Sequence, residues 1–233
     1  MAAMKLLKRY CLLQIALIPI LLSGQGKVIL TETFDYPDNS MPARWWSEGV
    51  PASVKNGRMF VDADMMKPQV STIWLDREFS GNLCIEFDVF IVSSQELSNN
   101  LNFFLNYSHP DGTPLRSTMN ERMDGNYNHY HKLNGYIFTH LANGTEVPAR
   151  FRFRYNPGFE LLDELFTYEC KLETLYNIKI IKKDNRFQYW ANGQLIIDKE
   201  IEDALLHKKG LIGFRTWRTS LWWDNLKITQ LND

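Results

Sequence analysis

Helical periodicity is nearly absent from this chain, and so is any excess of charge. Twenty-six Lys and Arg stand against 27 Asp and Glu, a formal net charge of −1. That balance leaves no basic footprint for nucleic acid. No internal repeat and no low-complexity tract interrupts the sequence, and 45% hydrophobic with 23% charged residues is globular composition rather than disorder. Cysteine is scarce, with three in 233 residues. No apolar run reaches the roughly 20 residues that a membrane span needs.

The apolar run that does occur, Leu12 to Leu22, is broken only by Gln14 and Pro19. Lys5, Lys8 and Arg9 precede it, and Ser23, Gly24 and Gly26 follow. This is the pattern of a cleaved signal peptide. A cut after Gly26 is expected, giving residues 1–26 as the signal and 27–233 as a single exported domain, periplasmic or secreted. No stable membrane span remains after cleavage. Cys11 leaves with the signal, and an oxidising compartment would permit a bridge between Cys84 and Cys170. Two buried free thiols fit the sequence equally well, because it does not give their separation.

What the chain has in quantity is aromatic residues, 13% with seven Trp, in short alternating runs. Leu83–Val92 places Ile85, Phe87, Val89 and Ile91 on one face and Glu86 and Asp88 on the other. Leu101–Tyr107 sets Leu101, Phe103, Leu105 and Tyr107 opposite Asn102, Phe104 and Asn106. Ala149–Tyr155 sets Phe151, Phe153 and Tyr155 opposite Arg150, Arg152 and Arg154. Val28–Phe34, Ser71–Leu75, Tyr176–Lys182, Arg186–Ala191, Gln194–Ile197, Leu211–Thr216 and Leu221–Thr229 are further strands, and Ile201–Leu206 suits a single helical turn. Asn56-Gly57 and Asn192-Gly193 supply the two positive-φ residues of type I′ hairpin turns. Around ten or more short strands in one domain predict an all-β fold, a two-sheet antiparallel β-sandwich. The polar stretch Ser108–Lys132 is too long for an idle connection in a compact domain.

The segments "YNIKIIKKDNRFQYWANGQLIID" (Tyr176–Asp198) and "GLIGFRTWRTSLWWDNLKI" (Gly210–Ile228) resemble the C-terminal half of concanavalin A-like jelly rolls of the lectin and glucanase type. There a strand, an Asn-Gly hairpin, a Gly-x-Ile-Gly strand and an Asp-Asn-x-x-Ile strand come in that order. "LNGYIFTH" and "RFRFRYNPGFELLDE" resemble uncharacterised secreted proteins encoded beside pectin and rhamnogalacturonan degradation enzymes in bacteria. The resemblance implies a jelly roll that meets a polysaccharide or oligosaccharide.

Several constellations bear on that expectation. Arg150, Arg152 and Arg154 share one face at period two, and three like charges repel unless anions are near. They are candidates for gripping uronate carboxylates, with a solvated face paired to Glu and Asp as the alternative. Tyr127-Asn128-His129-Tyr130-His131, if extended, presents Tyr127, His129 and His131 together with Tyr130 opposite. His129, His131, Tyr127 and Tyr130 are the catalytic candidates for β-elimination, which needs a base, an acid and a neutraliser for the carboxylate. Asn102 and Asn106 complete such a set as substrate contacts. "RSTMNER" (Arg116–Arg122) distantly resembles the Arg-Ser-Glu-x-Arg strand of alginate lyases, but Thr118 replaces the Glu. Glu160, Asp163 and Glu164 form an acidic cluster without the paired-Glu signature of hydrolysis. Adjacent strand residues point to opposite faces, so one Trp of each pair, Trp45-Trp46 and Trp222-Trp223, is expected to be accessible unless both faces are covered. Trp217 and Trp222 are the candidates for stacking on a sugar. No cofactor and no catalytic metal is called for, although Asp224 near Glu32 could hold a structural Ca²⁺. An enzyme and a non-catalytic sugar-binding module both remain open.

Overall fold

The computed structural model describes residues 26–142, 148–166 and 169–232. Of the expected signal peptide, residues 1–26, all but Gly26 lie outside the described residues, and the first strand begins at Gly26. In chain order the strands are β1 (Gly26–Glu32), β2 (Trp45–Gly49), β3 (Ser53–Val54), β4 (Met59–Asp62) and β5 (Val70–Ser80). Next come β6 (Leu83–Ser94), β7 (Leu101–Ser108), β8 (Asn134–Leu141), β9 (Arg150–Asn156) and β10 (Glu160–Leu165). The chain continues with β11 (Thr174–Lys183), β12 (Arg186–Ala191), β13 (Gln194–Glu200), β14 (Lys209–Trp217) and β15 (Thr219–Leu231). All strand pairs are antiparallel.

The first sheet runs β13-β12-β11-β6-β15-β4-β3, with β1 also on β15, and the second runs β10-β9-β8-β7-β14-β5-β2. This is the two-sheet sandwich that the alternation predicts. Ile85, Phe87, Val89 and Ile91 of β6 are buried in the core together with Phe103, Phe138, Phe153 and Phe214 of the second sheet. Phe87 lies 5.3 Å from Phe103 and 5.1 Å from Phe214, ring to ring. The two hairpin turns have the expected backbone, with φ of 52° and 67° at Asn56-Gly57 and 49° and 76° at Asn192-Gly193. Among the described residues no helix is long and apolar enough to cross a membrane. Cys84 and Cys170 are free thiols, and burial pushes the Cys84 thiol up to about 11.

Three local expectations are corrected, and a fourth meets its exception. Asn106 takes φ 54° where the β7 register slips against both neighbours. This bulge turns Tyr107 to the same side as Phe104, their rings 4.5 Å apart, and buries Asn106, whose Nδ2 donates to Phe79 O at 3.2 Å. The Arg116–Arg122 segment is not a strand but part of a 3₁₀ helix, Leu115–Arg122. Tyr127–Tyr130 is one helical turn, α1, not an extended run. Both members of Trp45-Trp46 are buried, because Trp45 enters the core while the 108–133 segment covers Trp46 from outside.

Candidate functional site

Strand register lines up one side chain from every strand of the second sheet. Glu48 of β2 lies opposite Thr72 of β5, Thr72 opposite Arg215 of β14, and Arg215 opposite Asn102 of β7. Asn102 faces Thr139 of β8, Thr139 faces Arg152 of β9, and Arg152 faces Glu164 of β10. Alternation puts all seven on the outer face, in one polar row. Short bonds join its members. Arg215 Nη1 donates to Thr72 Oγ1 at 2.6 Å, Thr139 Oγ1 to Asn102 Oδ1 at 2.6 Å, and Arg152 Nε to Glu164 Oε1 at 2.7 Å. The adjacent row is apolar, Trp46, Trp74, Gly213, Phe104 and Ile137, and ends at Arg154. Gly213 is required there, since a Cβ would lie 2.6 Å from the Trp74 ring.

The 108–133 segment packs on the apolar row and forms a wall beside the polar one. Its anchor is the fully buried Glu48. Oε1 accepts from Arg122 Nε at 3.0 Å and Nη2 at 2.7 Å, while Oε2 accepts from the Tyr130 hydroxyl at 2.8 Å and Trp74 Nε1 at 3.0 Å. A carboxylate out of water costs several kcal/mol unless its lone pairs are filled, and four donors fill them here. Gly125 seats the wall on β5, where a Cβ would come within 2.1 Å of Val70 Cγ1. Phe159, from the turn between β9 and β10, locks the far end by stacking on His131 at 3.7 Å and meeting Tyr127 edge-on at 5.3 Å.

Between wall and sheet lies a cavity of about 430 Å³. Arg215, Asn102, Thr139 and Arg152 form its floor, Tyr127, Phe159 and Arg154 its back, and Pro68 and Trp217 its front. Arg215 is 3% exposed. Its guanidinium lies 4.5 Å over the Tyr127 ring and 4.7 Å over Tyr130, and Nη2 donates to Gly125 O at 2.9 Å. No carboxylate pairs with it among the described residues. Arg154 rests 4.0 Å over Phe159 and donates from Nη1 to Phe159 O, while its buried Nε has no partner among the described residues. Burial first, and then the neighbouring Arg152, lower the Arg154 pKa. Among the described residues Asp124 is the one carboxylate lining the cavity, and His129 lies against it at 3.1 Å. The site therefore carries more positive charge than it neutralises, in surroundings partly closed to water. A carboxylate or another flat anion answers that arrangement, because charge-assisted guanidinium bonds strengthen on desolvation. The Tyr127 hydroxyl is also buried, beside Thr139.

Of the residues singled out in the sequence, Asn102, Tyr127, Arg152, Arg154 and Trp217 line this cavity. Arg150 stands at the sheet margin, 3.7 Å from Glu164. The acidic cluster is thus used in part to neutralise Arg150 and Arg152 through Glu164. His129 and His131 do not come together with the Arg row as a shared groove requires. The helical turn directs His129 to Asp124, and His131 lies behind Phe159. Burial, then Arg215 and Arg154, push the His131 imidazole down to about 4. Tyr130 is committed to Glu48 beneath the wall, and Asn106 is buried under the bulge. Trp222 is on the opposite sheet, between Phe90 at 5.5 Å and Arg58 at 4.2 Å. The residue the sequence reading missed is Arg215. Gly213, Arg215 and Trp217 alternate with Ile212, Phe214 and Thr216, a period-two signal that was available.

Glu32 accepts from Trp45 Nε1, the Tyr36 hydroxyl and the Phe34 amide. Asp224 lies opposite Asp88 and 3.9 Å from Arg58. Among the described residues no three His, Cys, Asp or Glu are grouped to hold a metal ion.

A family model described as Domain of unknown function (DUF6250) matches residues 65–226. No curated protein matches the chain. Among solved structures, a protein of unknown function with galectin-like fold from Bacillus subtilis is 16% identical, with TM-score 0.75 over 89% of this chain and 98% of the other. The carbohydrate binding module CBM66 from Bacillus subtilis is 16% identical, with TM-score 0.56 over 80% and 96%. The Emp47p carbohydrate recognition domain is 13% identical, with TM-score 0.62 over 88% and 98%. At these identities the likeness establishes the fold, a galectin-like and concanavalin A-like jelly roll, as the C-terminal motifs imply.

Proposed function

The chain belongs to the DUF6250 family, whose description assigns no activity, and from the geometry of its own site we propose that it binds an acidic saccharide over the Arg215–Arg152 row. One observation carries this reading. The Arg215 guanidinium is buried in a cavity wall, stacked on two tyrosines, with no carboxylate partner among the described residues. A buried cation is retained at a cost of several kcal/mol unless an anion joins it. A uronate supplies a planar carboxylate for the guanidinium groups and hydroxyls for Asn102 and Thr139. It also offers an apolar ring face for Trp217, which is 41% exposed at the cavity front and carries Arg218 over one face of its ring at 4.7 Å. The sugar-binding neighbours named above, CBM66 and the Emp47p domain, support a saccharide as the ligand class, and an exported chain would meet such polymers.

The experiment is calorimetric titration with uronate oligosaccharides and with neutral oligosaccharides of the same length. Binding of the acidic series alone, weakened by added salt, is the expected result. Equal binding of both series would overturn the acidic reading.

A second reading, β-elimination on the bound uronate, is favoured by the buried Tyr127 hydroxyl beside Thr139, where Arg215, Arg154 and Arg152 oppose the rise in its pKa that burial causes. Tyr127, as its phenolate, would take the ring proton beside the carboxylate and pass it to the departing glycosidic oxygen as the C–O bond breaks, while an arginine neutralises the developing charge. Hydrolysis needs two facing carboxylates, and among the described residues Asp124 alone lines the cavity. Absorbance of an unsaturated product, lost in Tyr127→Phe with binding retained, is the outcome that supports elimination. A product from Tyr127→Phe at the parental rate would remove it.

A further inference from the structure

The polar row does not run open from edge to edge. It passes under the wall, and its exposure records where. Glu48 and Thr72 are 0% exposed, Arg215 3%, Asn102 2% and Thr139 7%, whereas Arg152 is half-buried. Beyond Arg215 the row is sealed. Gly125 O caps the guanidinium, and Thr72 and the Glu48 hub lie beneath the wall. That end is fixed rather than hinged, because the wall is held by a buried ion pair and by a glycine pressed onto Val70. The cavity floor, from Arg215 to Arg152, covers three inter-strand spacings, or roughly 14 Å.

Taking the acidic-saccharide reading as its basis, we infer that the site is a blind pocket that takes the end of an acidic saccharide chain and not an internal stretch. The terminal uronate enters with its carboxylate toward Arg215 and its ring over Asn102 and Thr139. The chain then leaves past Arg152 toward the sheet margin. A strand of polymer laid across the sheet would have to pass through the ground occupied by Thr72 and Glu48, which the wall closes. The floor's charge agrees with this direction. The unneutralised guanidinium is at the closed end, and Arg152, already bonded to Glu164 at 2.7 Å, is at the open one.

Stoichiometry separates end recognition from recognition along the chain. The intact protein is titrated by calorimetry with short and long members of oligogalacturonate, oligoglucuronate and oligomannuronate series. For a series that binds, the expected result is one protein per saccharide chain at every length, with a molar affinity that no longer rises once the pocket is filled. Stoichiometry that grows in proportion to chain length retains the acidic-saccharide reading and overturns end recognition. Absence of binding in all three series overturns the reading of the site, and this inference with it.

Discussion

On the outer face of the first sheet, Phe60, Trp222, Phe90 and Leu175 form a cross-strand row, and on that of the second sheet Arg215, Asn102, Thr139 and Arg152 form another. Cations sit over aromatic rings on both faces. On the first, Arg58 covers Trp222 at 4.2 Å, Lys55 covers Phe60 at 4.8 Å and Lys179 covers Trp190 at 4.7 Å. The Arg58 side chain is 45% exposed and lies near Asp224, so water and a carboxylate balance its charge. The ring surface that a sugar would stack on is already taken. On the second face, Arg215 sits over Tyr127 and Tyr130 but is buried, and no carboxylate balances it among the described residues. A tryptophan in the sequence therefore says little by itself. A cation that is both buried and unpaired marks a place where something is to be bound.

The contrast depends first on the wall. Glu48→Ala would leave Arg122 buried without its partner, and losing one member of a buried pair costs about 3–5 kcal/mol. Urea unfolding should show a loss of that size, together with exposure of Trp46 and Trp74 by fluorescence. A change below about 1 kcal/mol, the range of surface pairs, would mean that the wall is held by something else. The floor comes next. Arg152→Ala and Arg154→Ala should each weaken an acidic oligosaccharide by about 1.5–3 kcal/mol, the range for bonds to charged groups, and leave neutral ones unchanged. Equal loss for neutral sugars would shift the contacts from charge to shape.

A pH dependence of stability follows from the imidazoles. Burial pushes His140 down to about 3, and burial with Arg215 and Arg154 pushes His131 down to about 4. Both take up protons near 6.5 in the unfolded chain, so between that pH and about 4 the unfolded state binds more protons. Their contribution to stability is complete above pH 6.5 and is lost as pH falls toward 4. Unfolding midpoints measured across that window should decline, and His131→Gln should flatten the decline. A midpoint that rises toward pH 4 would contradict the assignment. The smallest effect belongs to the other face. Trp222→Ala should leave saccharide affinity within about twofold, as surface changes away from a site do.

The sandwich was legible because β6, β9 and the two Asn-Gly hairpins alternate cleanly, and alternation reports directly which side chains enter a core. Arg152, Arg154 and Asn102 were legible as one outer face for the same reason. Asn106 was not, since a single positive-φ residue shifts every later side chain of β7 to the other face and leaves no mark in the pattern. His129 and His131 were misplaced because a helical turn and a strand distribute Tyr127–His131 differently. Only the packing of α1 against Phe104 and Phe159 decides between them. Trp222 could be placed on a strand but not on a sheet, because strand order is set by long-range pairing. Arg215 lay in view between Gly213 and Trp217, and it drew no notice because one arginine in a strand forms no cluster in sequence. Its neighbours Arg152 and Arg154 both lie on β9, three strands away across the sheet.

The most direct test sets one arginine of each face against the other. Arg215→Gln and Arg58→Gln each remove a guanidinium that sits over an aromatic ring. Both are titrated with the acidic oligosaccharide that the parent protein binds, at the same salt concentration and after unfolding has shown both to be folded. The account predicts a loss of about tenfold or more for Arg215→Gln, in line with a charge-assisted bond, and an unchanged affinity for Arg58→Gln. Loss at Arg58 with full binding at Arg215 would move the site to the first sheet and contradict it.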